Sequence, residues 1–127
     1  MIAVDTSALM AIVFDEPQNE ACMMAIEEAD GLLISAGTVA EALIVASRRN
    51  VGEEVSALIS GLGFEIVSVT AASARRVADA YGRWGKGVHP AALNYGDCFS
   101  YEVAKEHDCP LLYVGEDFLQ TDVRQAL

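Results

Sequence analysis

IAVDTSAL at residues 2–9 sets the frame for reading the rest of the chain. Its three leading apolar residues make a run too short for a helix and suited to a buried strand. Asp5 ends that run, and Asp5, Thr6 and Ser7 are all good helix-capping types, here at the entry of a helix expected over Ser7–Phe14. The chain then repeats the unit of strand followed by helix. LLIS (32–35) precedes a helix expected from Thr38 to Arg49, and FEIVSV (64–69) precedes one from Ala71 to Trp84. LLYV (111–114) runs into Gly115-Glu116-Asp117-Phe118.

Between these units, Pro17 suits the first turn of a helix reaching Ala29. Gly52 to Leu62 reads as another helix, closed by Gly61 and Gly63. A further helix, Asp97 to Glu106, leads to Pro110 and the fourth strand. GKGVHP (85–90) is the one clear loop, and the tail QTDVRQAL (120–127) is expected as a short helix or an edge strand. Alternating strands and helices predict an α/β fold, one domain over 1–127, with a central parallel sheet of four to five strands flanked by helices. The strands are unbroken apolar runs, as expected where helices cover both faces. Ligands of such sheets sit beyond the carboxyl ends of the strands, where the strand order reverses. Asp5 and Asp117 follow two of the strands and fall at that edge.

A 127-residue chain that is 53% hydrophobic and 21% charged suits a compact fold with one core and excludes disorder. No apolar run nears the ~20 residues of a membrane span. MIAVD meets an acid at once where a leader would need an apolar stretch, so a cytoplasmic protein is expected. Cys22, Cys98 and Cys109 lack any C-x-x-C spacing, which points to reduced thiols, with Cys98 a small core residue. The net charge of −11 argues against direct nucleic-acid binding, unless metal ions neutralise the carboxylates first. Many of the acids, in 15–30, 53–54 and 102–108, read as solvated helix faces. The bases clump instead: Arg48 with Arg49, Arg75 with Arg76, and Arg83 with Lys86 and His89.

Four acids stand apart from the rest, and each has an ordinary explanation. Asp5 suits an N-cap. Glu41 closes Thr38-Val39-Ala40-Glu41, which matches a capping box. Asp97 suits a first helical turn, with Asn94 or Gly96 at the entry. Asp117 suits the turn after the fourth strand, with Glu116 beside it. Jointly they say more, because all four fall at strand ends or helix entries on one sheet edge. Crowded carboxylates raise one another's pKa unless a cation intervenes. Mg²⁺ or Mn²⁺ takes oxygen ligands and keeps several waters, and such an ion activates water against a phosphate. The Thr6 and Ser7 hydroxyls are placed to hold a metal water or a phosphate oxygen.

Other motifs fail. GKG at 85–87 lacks the spacing of a phosphate-binding loop. His89 and His107 are too few for zinc, and Ser7 and Cys98 have no paired base. Trp84 and Tyr81 read as core. Arg48 and Arg49 suit a helix C-terminus, where cations complement the dipole.

MIAVDTSALMAI (1–12), SAGTVAEALIV (35–45) and the long segment GKGVHPAALNYGDCFSYEVAKEHDCPLLYVGEDFLQTDV (85–123) together resemble the PIN-domain ribonucleases, specifically VapC-type toxins. The likeness covers nearly the whole chain, and its C-terminal third is the most specific part. It implies a three-layer PIN-like fold, Mg²⁺- or Mn²⁺-dependent endoribonuclease activity, a homodimer, and neutralisation by a cognate antitoxin. The family's acids map onto Asp5, Glu41, Asp97 and Asp117, with Asp5 and Asp97 as the safest metal ligands and Glu116 in support. Many relatives read Gly-Asn-Asp-Phe where this chain has Gly115-Glu116-Asp117-Phe118. The implied substrate is RNA, often transfer RNA, with Arg48, Arg49, Arg83, Lys86 and His89 as candidate contacts. Competing readings are a receiver-like signalling domain, an aspartyl phosphatase (for which Ser7 stands where Asp-x-Asp needs its second acid), and a catalytically idle partner-binding domain.

Overall fold

The computed structural model describes residues 1–127. Strands β1 (Ile2–Val4), β2 (Leu32–Ser35), β3 (Glu65–Val67) and β4 (Leu111–Leu112) form one parallel sheet in the order β3-β2-β1-β4. Six helices connect and cover it: α1 (Thr6–Val13), α2 (Asn19–Glu28), α3 (Ala36–Arg48), α4 (Gly52–Gly61), α5 (Ala71–Trp84) and α6 (Tyr95–Glu106). Strand side chains alternate in direction, so each strand feeds two cores. Ile2, Val4, Leu32, Ile34 and Leu112 pack with α1–α4 through Leu9, Ile26, Ala42 and Val55. Ala3, Leu33 and Leu111 pack on the other side with α5 and α6 through Val77, Trp84, Cys98 and Val103. The result is three layers.

Chain order explains where the site must lie. β1 is followed by β2 and β3 on one side, and the chain then returns to place β4 on the other. The order therefore reverses at β1, and in sheets of this kind ligands bind at such a reversal, here beyond the carboxyl ends of β1 and β4. Asp5 leaves β1 at that point.

Several expected boundaries move for local reasons. The α3 helix begins at Ala36 because Ser35 caps it, accepting from the Gly37 N–H at 3.1 Å. Pro17 and Gln18 stay outside α2, in the turn before it. β4 ends at Leu112 because the Val114 N–H donates to Ser7 Oγ at 3.0 Å instead of joining the ladder. β3 is a three-residue edge strand with Glu65 and Ile66 exposed, so the expected cover on both faces fails there. The tail is neither helix nor full strand, and a single bridge joins Gln125 to Leu111. Glu102, expected on a solvated face, is buried and accepts from Arg76 Nε at 3.0 Å. Cys98 is a core residue, as expected, and burial pushes its thiol up to about 11. No helix is long and apolar enough to cross a membrane.

Candidate active site

Asp5 is buried and caps α1. Its Oδ2 accepts from the Ser7 N–H at 3.1 Å and from Ser7 Oγ at 2.7 Å. Its Oδ1 accepts from Ser100 Oγ at 2.5 Å, and Ser100 Oγ lies 3.2 Å from Thr38 Oγ1. Two hydroxyls, from α1 and α6, thus fix one carboxylate, and the Thr38 hydroxyl of α3 lies against the second of them. Ser7 serves twice, because its oxygen also accepts from the Val114 N–H and so ties the end of β1 to the chain leaving β4.

Glu41 projects from α3, and its Oε1 accepts from Thr6 Oγ1 at 2.7 Å. It is no capping-box partner, since the cap is Ser35 and Thr38 lies fully buried inside the helix. The carboxylate instead rests on the first turn of α6. A Cβ at Gly96 would overlap its Cδ and both oxygens, so a glycine there is what lets the acid lie so close. The positive end of the α6 dipole favours that placement. Burial raises the Glu41 pKa most, the Thr6 hydrogen bond opposes the rise, and the charge of Asp5 adds to it.

Asp97 is both cap partner and site acid. Its Oδ2 accepts from the Asn94 N–H at 3.0 Å while its own N–H donates to Asn94 Oδ1 at 2.9 Å, a reciprocal capping box. Its carboxyl is pushed up to about 7. Burial is the largest cause, the Asn94 N–H works against it, and the charges of Asp5, Asp117 and Glu41 reinforce it. Asp97 therefore feels an acid from each of the other three segments. Asp117 sits exposed on the loop after β4, further from the strand end than expected, with Glu116 exposed beside it.

The donors are all carboxylate and hydroxyl oxygens, the set that hard divalent cations choose. No group of three or more acidic, histidine or cysteine side chains stands close enough together to hold an ion by itself. An ion such as Mg²⁺ is usually held through one or two carboxylates and keeps its waters, so it needs no such group of three. Burial is the main cause of the raised Asp97 and Glu41 carboxyls and neighbouring acids add to it, and a bound cation would favour both as carboxylates. On donor chemistry, the site fits the ion.

The bases lie apart from this cluster. Arg48 and Arg49 are exposed at the far end of α3, with the Arg49 guanidinium 3.9 Å over the Phe14 ring. That end lies about 10 Å along the helix axis from Glu41 at ~1.5 Å per residue. Arg83 lies 4.5 Å over the Trp84 ring, and Lys86 is exposed on the loop that leads to α6. His89 has a structural part in that loop: its Nδ1 accepts from the Ala91 N–H at 3.0 Å, and its ring meets Trp84 edge-on. Sequence reasoning missed Ser100, Thr38 and Gly96. Ser100 was within reach, since it follows Asp97 by three positions and so shares its helix face.

Comparison with known proteins agrees with this architecture. The PIN domain family model matches residues 2–124. Ribonuclease VapC30 of Mycobacterium tuberculosis is 41% identical over 125 residues, covering 96% of this chain and 95% of that protein. Ribonuclease VapC36 of the same organism is 44% identical over 124 residues, covering 94% and 89%. Among solved structures, the M. tuberculosis sarcin-ricin loop cleaving toxin VapC20 superposes with a TM-score of 0.79 at 16% identity, covering 97% of this chain and 96% of that one. A chain of a toxin–antitoxin complex from Klebsiella pneumoniae gives 0.70 at 18% identity, covering 96% and 93%. At those identities the two structures speak for the fold alone. With a family model spanning almost every residue and full-length relatives above 40% identity, this chain belongs to the PIN-domain family, among its VapC ribonucleases.

Proposed function

We infer that this chain is the endoribonuclease toxin of a toxin–antitoxin pair, hydrolysing RNA phosphodiester bonds beyond the carboxyl ends of β1 and β4. The observation that carries the site assignment is Asp97, whose carboxyl is raised chiefly by burial and further by acids from three other segments. When bound, Mg²⁺ or Mn²⁺ supplies an activated water and neutralises charge on the scissile phosphate. Asp5 and Asp97 would hold it most directly, with Glu41 and Asp117 completing the acidic rim. Thr6 orients Glu41, while Ser7 and Ser100 orient Asp5, so the rim is stiff before substrate arrives. Arg48 and Arg49 at one end of α3, Arg83 in the last turn of α5, and Lys86 and His89 on the loop before α6 are candidate RNA contacts, with structured RNA such as transfer RNA as the substrate class. Family membership removes the receiver-like and aspartyl-phosphatase readings.

The test is cleavage of total RNA by the purified chain with Mn²⁺ and with EDTA, followed by sequencing of the new ends. EDTA should suppress cutting more than about a hundredfold, and added Mn²⁺ should restore it, as expected where the metal generates the nucleophile. Undiminished cutting in EDTA would overturn the metal-dependent reading.

A cognate antitoxin is part of the same proposal, its tail placing a basic side chain near the carboxylates. A homodimer is supported by an apolar face that a lone chain leaves in water. Ile44 is 59% and Tyr95 72% exposed. Tyr95 and Phe99 line both of two adjoining clefts, of ≈ 380 and ≈ 300 Å³, and Ile44 lines the second together with Glu41. A charge at the centre of such a face opposes its burial. Ile44→Asp should therefore convert the dimer to a folded monomer in light scattering, and an unchanged mass would place the interface elsewhere.

A further inference from the structure

The loop that carries Asp117 is held from behind by a chain of hydrogen bonds that none of the roles above uses. Its visible anchors are Phe118, buried 5.0 Å from the Tyr113 ring, and Thr121, whose Oγ1 donates to the Phe118 carbonyl at 2.7 Å. Beyond them comes Asp122. Its Oδ1 accepts from the Tyr101 hydroxyl at 2.7 Å, and its Oδ2 lies 3.3 Å from Lys105 Nζ and 3.8 Å from Arg83. The Tyr101 oxygen in turn accepts from Trp84 Nε1 at 3.0 Å, and both of those side chains are buried. The chain Trp84–Tyr101–Asp122 thus runs from the end of α5 through α6 to the acidic loop.

We propose that Asp122 is a positioning residue for Asp117, clamped through Tyr101 and Trp84; the proposal rests on the metal-dependent reading of the four acids given above. Geometry on α6 gives it weight. Asp97, Ser100 and Tyr101 stand at i, i+3 and i+4, neighbouring positions on a helix surface. Asp97 enters the site itself, Ser100 fixes Asp5, and Tyr101 fixes the loop of Asp117 through Asp122. One helix therefore sets three of the four acids relative to each other. Asp117 is exposed and five residues before the clamp, so its mean position depends on how firmly that loop is tied. Although burial alone works to raise the Asp122 carboxyl, the bonds from Tyr101 and Lys105 and the charges of Lys105 and Arg83 bring it below its ordinary value. It is held as an anion, the form that makes the stronger bond to a phenol.

The experiment is a double-mutant cycle read by Mn²⁺ calorimetry and by amide hydrogen exchange on the full chain. Asp122→Ala leaves the Trp84–Tyr101 bond in place and removes the clamp on the loop, together with the ion pairs to Lys105 and Arg83. It should weaken Mn²⁺ binding about tenfold, the lower range for the outer partners of a metal site. It should also speed exchange over 115–121 about tenfold while α6 stays protected. Tyr101→Phe, which keeps the ring and deletes the hydroxyl, should speed exchange in the same segment. In an Asp117→Ala background, Asp122→Ala should produce no further loss of Mn²⁺ affinity, because its effect passes through Asp117. An equal loss in both backgrounds, or unaltered exchange over 115–121, overturns the proposal. If Asp97→Asn binds Mn²⁺ as tightly as the parent chain, the metal reading itself has failed, and the exchange data alone then judge the clamp.

Discussion

Asp97→Asn should lose Mn²⁺ binding and RNA cleavage while gaining stability in the metal-free state. The substitution is nearly isosteric, and an Asn oxygen can still accept from the Asn94 N–H, so the capping box of α6 survives. What disappears is the charge, and with it one of the two carboxylates proposed to hold the metal most directly. Outer partners of a ligand alone are worth about 10–100-fold, so activity should fall by more than about a hundredfold. The stability gain has a pH signature. Asp97 titrates at about 7 in the fold, against 3.8 for an ordinary carboxyl. Between those two values the folded chain keeps a proton that the unfolded chain has released, so stability falls as pH rises from about 4 to about 7. Above that window the effect is complete. Thermal melts in EDTA should show this slope in the parent chain and a flatter one in Asp97→Asn. Saturating Mn²⁺ should raise the parent at neutral pH and leave the variant unmoved. A variant that cuts RNA at the parental rate would remove Asp97 from the site.

Asp5 was legible from the start, because a three-residue apolar run stopped by an acid leaves few readings other than a strand end. The alternation of elements likewise carried the parallel sheet and its edge. The capping-box explanation of Glu41 fails for a physical reason. Thr38-Val39-Ala40-Glu41 obeys a local capping rule, but Ser35 takes the cap one turn earlier and Thr38 turns inward to Ser100. The competing partner lies 62 residues away, and local patterns contain no trace of it. Glu102 shows the same blindness: a charged residue on a helix reads as solvated until a second helix brings Arg76 against it. The bond from Ser100 to Asp5 spans 95 residues and is invisible to any periodicity. Local rules found the elements and the acids at their ends. The hydroxyls that aim those acids belong to tertiary structure, and only the fold reveals them.

Gly96→Ala separates function from stability more sharply than any change to an acid. Gly96 is the second residue of α6, where alanine is intrinsically the better helix former by about 1 kcal/mol. By propensity alone the variant should be no less stable than the parent. The added methyl, however, would occupy the space of the Glu41 carboxylate. That carboxylate is the far end of a flexible side chain, so it can swing aside with the backbone unmoved. Swinging costs the hydrogen bond from Thr6 and takes Glu41 off the first turn of α6. The expected result is an unchanged or slightly raised melting temperature with RNA cleavage reduced about tenfold or more, in the range for a misplaced metal-site partner. Glu41→Gln supplies the control, since it removes the same charge without moving the helix. If the methyl acts only by displacing Glu41, the double variant should be no worse than the poorer single one. A further drop in the double variant would mean that the methyl has shifted α6 and Asp97 with it. Parental activity in Gly96→Ala would show that catalysis does not need Glu41 against the helix at all, leaving Asp5, Asp97 and Asp117 to hold the cation.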